Sequence, residues 1–255
     1  MKITCCTNTG NRRSINEDNF YINGLYLKRR QNQILLRCDS LEGVNIFAIF
    51  DGMGGESNGS LAAKIAAEIL CKYQREKFTD NTDQWSAIVD EYIHETNEKV
   101  CEMIDKTQRN MGSTMALIIT NGYHVKAYNL GDSRTYFYSQ GQIKRLSVDH
   151  TVAAQLAVAG LISEEEVIDH PYRNRLTRHL GMGEFDIKPH VNEINIKDGD
   201  ILTICSDGLT DMCNDTMILS MLNEKSCNEN IAGKLVESAL ALGGHDNVTV
   251  ITIKA

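Results

Sequence analysis

The apolar run Val44-Asn45-Ile46-Phe47-Ala48-Ile49-Phe50 stops at Asp51 and gives way to the glycine-rich turn Gly52-Met53-Gly54-Gly55. Such a run reads as a buried strand. A carboxylate at the end of a buried strand is costly unless a positive group sits against it, and a divalent cation is the usual answer. The pattern recurs: Ile201-Leu202-Thr203-Ile204-Cys205-Ser206 leads into Asp207-Gly208, and His245-Asp246-Asn247 precedes the strand-like Val248-Thr249-Val250-Ile251-Thr252-Ile253. Three aspartates far apart in sequence, each where a strand meets a turn, restrict the chain to folds that gather strand ends around hard cations. The chemistry this suits is metal-dependent hydrolysis.

Length and charge set the frame. A chain of 255 residues buries about 70–75% of its unfolded surface and needs no disulfide or structural metal to support a core. One domain spanning residues 1–255 is the expectation. Lys+Arg of 26 against Asp+Glu of 34 leaves a net charge of -8, which argues against nonspecific binding to nucleic acid or anionic membrane. The opening Met1-Lys2-Ile3-Thr4-Cys5-Cys6 lacks the apolar core of a signal peptide, and no run approaches the roughly 18 apolar residues of a membrane span. The eight cysteines form no C-x-x-C pair, so reduced, mostly buried thiols are expected. A cytoplasmic monomer fits this set.

Only two prolines occur, Pro171 and Pro189, and no low-complexity tract or solenoid-length repeat divides the sequence. Leu61, Ala62, Ile65, Ala66, Ile69, Leu70 and Tyr73 recur at helical spacing. Trp85, Ile88, Val89, Tyr92, Ile93, Val100 and Ile104 do the same behind Asp83, which reads as an N-cap. From Ser113 the pattern turns to short β-like runs. These are Thr114 to Thr120, Tyr123 to Leu130 after a hairpin signal at Asn121-Gly122, and then Arg134 to Tyr138 and Ile143 to Leu146 around Gln140-Gly141. The succession predicts an antiparallel meander. Helix pairs before and after strand-rich blocks, rather than strict alternation, predict an α+β layered fold with packed sheets and outer helices.

Residues 149 to 190 interrupt the strands. A helix begun near Thr151 can end at Gly160, Ser163-Glu164-Glu165-Glu166 can form a capping box, and His170-Pro171 stops the next helix. Arg173, Arg175 and Arg178 follow. Such an arginine-bearing excursion beside a metal site reads as a flap over the substrate; a solvated helical excursion uses the same residues.

Glu17, Asp18 and Asp132 extend the acidic set formed by Asp51, Asp207 and Asp246. An all-oxygen site suits Mg²⁺ or Mn²⁺ better than zinc. Two such ions about 4 Å apart lower the pKa of a bridging water from about 15.7 toward about 7 and clamp a phosphoryl group for in-line attack. Arg13 supplies a guanidinium whose fork matches the remaining phosphate oxygens. Taken alone, its spacing from Asp18 also fits a surface arginine, and each Asp-Gly pair also fits a common turn. Their joint occurrence at strand ends carries the reading.

Arg13 to Asp18, Asp51 to Gly55, Met111-Gly112-Ser113-Thr114, Gly131-Asp132-Ser133-Arg134, Ser206-Asp207-Gly208 and Asp246-Asn247 occur in an order that resembles the metal-dependent serine/threonine protein phosphatases of the protein phosphatase 2C (PPM) type. The text His170 to Arg178 is similar to the compact bacterial branch. The resemblance implies a four-layer α-β-β-α sandwich with two central, mainly antiparallel β-sheets, a helical flap insertion and a dinuclear Mg²⁺ or Mn²⁺ centre at one end. It implies that Asp51 bridges both metals, that the Gly52 carbonyl binds one, and that Asp207 and Asp246 bind the other. Glu17 and Asp18 would hold metal-bound waters, Arg13 the phosphate, and Asp132 with Asp207 a weaker third metal. The implied partners are phosphorylated proteins and an opposing serine/threonine kinase.

Two departures stand out. Met53 occupies the place where many eukaryotic relatives have a histidine proposed as general acid, and Glu56 the place where bacterial relatives often have histidine. Neither removes a ligand, so activity is expected. None of the seven histidines forms an H-x-x-x-H pair, and structural or surface roles are expected for them. Two other functions use the same residues: a pseudophosphatase that binds phosphoproteins, and a hydrolase of small phosphate esters.

Overall fold

The computed structural model describes residues 1–55, 58–183, 187–224 and 230–255. Glu56, one of the departures noted above, lies outside them. The strands are β1 (Lys2–Asn8), β2 (Asn19–Ile22), β3 (Leu25–Tyr26), β4 (Gln33–Asp39), β5 (Val44–Phe50), β6 (Gly52–Met53), β7 (Gly112–Ser113), β8 (Met115–Asn121), β9 (His124–Leu130), β10 (Arg134–Ser139), β11 (Gln142–Arg145), β12 (His190–Asn195), β13 (Ile201–Cys205) and β14 (Val248–Lys254). The α-helices are α1 (Asn58–Glu76), α2 (Trp85–Thr107), α3 (Val152–Val158), α4 (Glu164–Asp169), α5 (Asp207–Thr210), α6 (Asp215–Asn223) and α7 (Ile231–Ala241). Among the described residues no helix is long and apolar enough to cross a membrane.

Two six-stranded sheets form the centre, in the orders β11-β10-β13-β14-β1-β4 and β12-β9-β8-β5-β2-β3. Every adjacent pair is antiparallel. Strand alternation divides the apolar residues between layers. Phe47 and Ile49 of β5 meet Ile251 and Ile253 of β14 between the sheets. Ile46, Ala48 and Phe50 face the other way, onto Ala63, Ala66 and Leu70 of α1 and Trp85, Val89 and Tyr92 of α2. On the opposite outer face, Val248 and Val250 pack on Ile218 of α6 and on Leu235, Val236 and Ala239 of α7. The result is the four-layer α-β-β-α sandwich, with α1 and α2 outside one sheet and α6 and α7 outside the other.

Two local expectations need correction. The strands from Met115 to Arg145 are not one meander: β8 and β9 pair in one sheet, β10 and β11 in the other. The chain crosses between sheets at Gly131-Asp132-Ser133, where Gly131 takes φ +95°. Asp83 is also not the cap of α2. Asn81 caps a short 3₁₀ turn, Thr82–Gln84, by accepting from the Asp83 amide, and that turn runs directly into α2. The other end signals stand: Thr151 caps α3, and Ser163 with Glu166 forms the capping box of α4.

Candidate functional site

The sandwich brings Asp51, the Gly52 turn, Asp132, Asp207 and Asp246 to strand ends. β5 ends at Asp51, and β6 pairs with β7 so that Gly52 faces Ser113 and Met53 faces Gly112. The Asp51 amide donates to Thr114 Oγ1 at 3.0 Å, and the Thr114 amide donates to the Asp51 carbonyl at 2.9 Å. Thr114 Oγ1 also lies 2.7 Å from Ser133 Oγ, which ties the Asp51 turn to the residue after Asp132. Gly52 is required by close approach. A Cβ there would run into the backbone of Gly59 and the Glu17 carbonyl. The start of α1 is thus pressed against the turn, and the Gly59 amide donates to Glu17 Oε1 at 3.1 Å.

Asp18 is buried immediately before β2. Its Oδ2 accepts from Ser206 Oγ at 2.9 Å and from Thr249 Oγ1 at 2.6 Å. The Thr249 amide in turn donates to Ser206 Oγ at 2.9 Å. Asn247 stitches the 9–18 segment to the mouth of β14. Its Nδ2 donates to the carbonyls of Thr9 (2.8 Å) and Ile15 (2.9 Å), and its Oδ1 accepts from the Glu17 amide at 2.7 Å. Asp246 accepts from the Asn247 amide through Oδ1 (2.8 Å) and from Arg13 through Oδ2 (2.6 Å). Gly208 sits so close to the Asn247 carbonyl that a side chain would collide with it.

The electrostatics of the cluster point to cations. Burial pushes the Asp18 and Asp207 carboxyls up to about 7. At Asp18 the Ser206 and Thr249 hydroxyls oppose the shift while Asp207 and Asp246 add to it. At Asp207, Asp211 and Asp246 add to it, and a hydrogen bond with Asp51 and the charge of Arg13 oppose it. Asp51 is raised by burial and by Asp207, Asp18, Asp132 and Asp246; Asp132 is raised by burial and by Asp207 and Asp149. Asp18 Oδ1 and Asp207 Oδ1 are buried without a hydrogen-bond partner, the only carboxylate oxygens so placed among the described residues. Clustered carboxylates with idle buried oxygens fit hard divalent cations. Among the described residues no three of these side chains already close into a metal cage; Asp246 faces Arg13 instead.

All eight residues expected from the sequence border this region, Glu17 through its contact with α1 and Arg13 through its ion pair with Asp246. Sequence reasoning quoted Thr114, Ser206 and Asn247 within the family motifs without giving them a role, and missed Thr249, whose one sequence signal is a hydroxyl inside otherwise apolar strand text. His150, expected to be structural, is so: its Nδ1 accepts from the Gly131 amide at 3.2 Å, and burial lowers its pKa to about 4.

The 149–190 excursion is pinned at both ends near the site. The Thr177 amide donates to the His150 carbonyl at 2.8 Å, and Leu180 exchanges backbone hydrogen bonds with Ser113 at 2.8 and 3.1 Å. Its three arginines are engaged. Arg173 pairs with Asp211 at 3.1 Å, Arg175 lies 5.7 Å from the Tyr172 ring centre, and Arg178 reaches the Lys188 carbonyl at 3.4 Å.

The family model of protein phosphatase 2C matches residues 9–248. The chain belongs to the protein phosphatase 2C family. A "Serine/threonine phosphatase stp" of Listeria monocytogenes is 29% identical over 255 residues, covering 97% of this chain and 93% of that one. The crystal structure of the serine/threonine phosphatase Stp1 from Staphylococcus aureus superimposes with a TM-score of 0.85 at 26% identity, over 99% of this chain and 94% of that one. The catalytic domain of the phosphatase PstP, solved with two manganese ions, superimposes with a TM-score of 0.77 at 25% identity, over 99% of this chain and 98% of that one. This 2C-type chain therefore shares its sandwich with both phosphatase structures along nearly its whole length, one of them solved with manganese.

Proposed function

We propose that this chain, as one phosphatase domain with residues 149–190 as its flap, hydrolyses phosphoserine and phosphothreonine in proteins at a dinuclear Mg²⁺ or Mn²⁺ centre. When bound, the two ions supply a water acidic enough to attack phosphorus at neutral pH. Asp51, the Gly52 carbonyl, Asp207 and Asp246 would hold the two ions, and Asp132 with Asp207 would hold a weaker third. Glu17 and buried Asp18 accept protons from waters around the ions, and Ser206 and Thr249 hold Asp18 in the orientation that does so. Arg13 offers its fork to the phosphate. The observation that carries this reading is the pair of buried, partnerless oxygens on Asp18 and Asp207 within a set of carboxylates that raise one another's pKa. A serine/threonine kinase that supplies the phosphorylated substrate, and a cytoplasmic location, belong to the same proposal.

The test is turnover of p-nitrophenyl phosphate and a phosphothreonine peptide with saturating Mn²⁺, in the wild type and in Asp51→Asn and Asp207→Asn. A loss in kcat of at least about 10³ is expected in each, since activation of the nucleophile is worth several kcal/mol. Near-normal turnover in both variants would overturn the assignment. A wild type that binds phosphopeptide without turnover would instead make the chain a phosphoprotein-binding module.

A further inference from the structure

One side of the sandwich is closed unevenly. The two large sheets end there in β4, of seven residues, and β3, of two, and a hollow of about 370 Å³ opens between them. Phe20, Tyr26, Leu27, Ile34 and Leu36 give it apolar walls, and the exposed Lys28 and Arg29 line its rim. Among the described residues no carboxylate lines it.

The backbone of β4 is open on the same side. Its pairing with β1 runs without a bulge from Gln33 to Asp39. The Ser40 amide donates to the Met1 carbonyl at 3.0 Å, and the Thr9 amide donates to the Asn32 carbonyl at 2.9 Å. By the alternation of an antiparallel ladder, the even-numbered residues of β4 therefore bond to β1, and Gln33, Leu35, Arg37 and Asp39 turn their amides and carbonyls outward. Among the described residues no hydrogen bond reaches these four backbones. Edge strands are ordinarily blunted by short length, proline, a bulge or an inward-pointing charge. β4 has none of these. Its inward side chains are Ile34, Leu36 and Cys38, half-buried at the margin of the core between the sheets. The other edges of the two large sheets are shorter: two residues in β3, four in β11 and six in β12.

The charge around this edge is one-sided. Lys28, Arg29 and Arg37 make no ion pair among the described residues. Lys28 lies 5.9 Å from the Tyr26 ring centre, a contact that leaves its charge uncompensated. The one acid on β4, Asp39, is held by Lys2 at 2.6 Å. A chain of net charge -8 thus borders its most open strand edge with three unpaired cations.

We propose that the outer edge of β4 docks an extended segment of a partner protein in which apolar and acidic residues alternate. The segment adds a strand to the sheet. Main-chain hydrogen bonds to Gln33, Leu35, Arg37 and Asp39 supply affinity, and alternate side chains supply selectivity. One face of the segment sets an apolar residue into the hollow beside Ile34 and Leu36. Its carboxylates meet Arg37 on the outer face and Lys28 and Arg29 at the rim. A second copy of this chain is the poorer occupant, because its β4 would offer those cations only Asp39, which Lys2 already holds. The surface is independent of the phosphatase reading, since it needs neither metal nor phosphate.

The experiment measures binding of a fluorescein-labelled nine-residue peptide, alternating valine with glutamate, to the full chain by fluorescence anisotropy at about 50 and 300 mM salt. Amide hydrogen exchange is followed with and without the peptide, and the Gln33, Leu35, Arg37 and Asp39 amides should gain at least about tenfold protection. Leu35→Pro removes one outward amide without touching a bond to β1 and should weaken binding at least about tenfold. Leu35→Ala, which keeps the amide, should weaken it by less than about threefold. Lys28→Ala/Arg29→Ala should weaken it about fivefold at low salt and little at high salt. The peptide carries the same test without any risk to the fold of the protein. N-methylation of alternate residues should abolish binding when it falls on one edge of the peptide and spare it on the other, and a valine-lysine peptide should bind at least about tenfold more weakly. No binding at about 1 mM peptide, equal binding of the two N-methylated forms, or no preference over the lysine peptide overturns the proposal. So does a concentration-dependent dimer, seen by sedimentation and abolished by Leu35→Pro, in a protein that ignores the peptide; that result gives the edge to a second copy.

Discussion

Arg13 is exposed and donates to Asp246 at 2.6 Å, with 55% of its side chain and 34% of that of Asp246 accessible. A pair so open to solvent contributes little, roughly 0–1 kcal/mol, so a doubly charged phosphate can win the guanidinium from it. A charge-assisted contact of this sort is worth about 1.5–3 kcal/mol. Arg13→Ala should therefore weaken inhibition by inorganic phosphate about 10- to 100-fold and raise KM, with a change of less than about threefold in Mn²⁺ affinity measured calorimetrically. The opposite result, weakened Mn²⁺ affinity with an unmoved phosphate constant, would make Arg13 a positioning residue for Asp246. At this scale the carboxylates were readable because an aspartate at the end of an apolar strand breaks the pattern around it. The groups that hold them were not. Ser206 and Thr249 meet on Asp18 across 188 and 231 residues of chain, and a hydroxyl in strand text carries no mark of the partner it will find.

Between residue and molecule, the excursion after β11 depends on how it is fastened. Asp149 opens it and takes a forked contact from Arg134 at the start of β10, Nε to Oδ1 at 3.1 Å and Nη2 to Oδ2 at 2.7 Å; Arg145 of β11 adds a third contact at 3.4 Å. The pair is mostly shielded, 24% and 9% accessible. Removing one member strands the other, which costs about 3–5 kcal/mol, whereas replacing both by apolar residues of similar size is often neutral. Asp149→Ala should lower the unfolding free energy in urea by roughly 3 kcal/mol or more, and Arg134→Met/Asp149→Leu by less than half as much. Equal losses would show that the pair is not the fastening. Element ends whose signals are local, Thr151, the Ser163-Glu166 box and the Asn121-Gly122 hairpin, were legible in the sequence. The sheet to which each hairpin belongs was not. β8-β9 and β10-β11 have the same alternating text, and only the packing of Leu117 of β8 among residues of α1 and α2, and of Tyr136 of β10 among residues of α6 and α7, separates them. Asp83 misled as a cap because Asn81, two residues earlier, begins a 3₁₀ turn that no apolar period announces.

For the molecule as a whole, the carboxylate cluster sets the sign of the pH dependence. Asp18 and Asp207 stand at about 7, and Asp51 and Asp132 are raised as well, all through burial and mutual repulsion. The same groups in the unfolded chain titrate near about 3.9. Across the interval between those values the metal-free folded protein holds protons that the unfolded chain has released, so its stability falls as pH rises and is lost through about 7. His150 acts in the other direction. Held near 4 in the fold, it lets the unfolded chain bind the extra proton below about 6.5, so its contribution is lost as pH falls. His179, also lowered by burial, acts in the same direction; above about 6.5 this opposing slope fades, and the carboxylates outweigh it. Metal ions compete for the oxygens that those protons occupy, and a ligand that binds only the folded state stabilises it more as its competitor leaves. After chelation, the Tm should therefore fall from pH 6.5 to 7.5, and the rise in Tm on adding Mn²⁺ should grow over the same interval. A metal-free Tm that stays level or climbs there, with a Mn²⁺ increment independent of pH, would mean that the cluster keeps its charges without cations and that the repulsion inferred at Asp51, Asp132 and Asp207 is relieved by some other means.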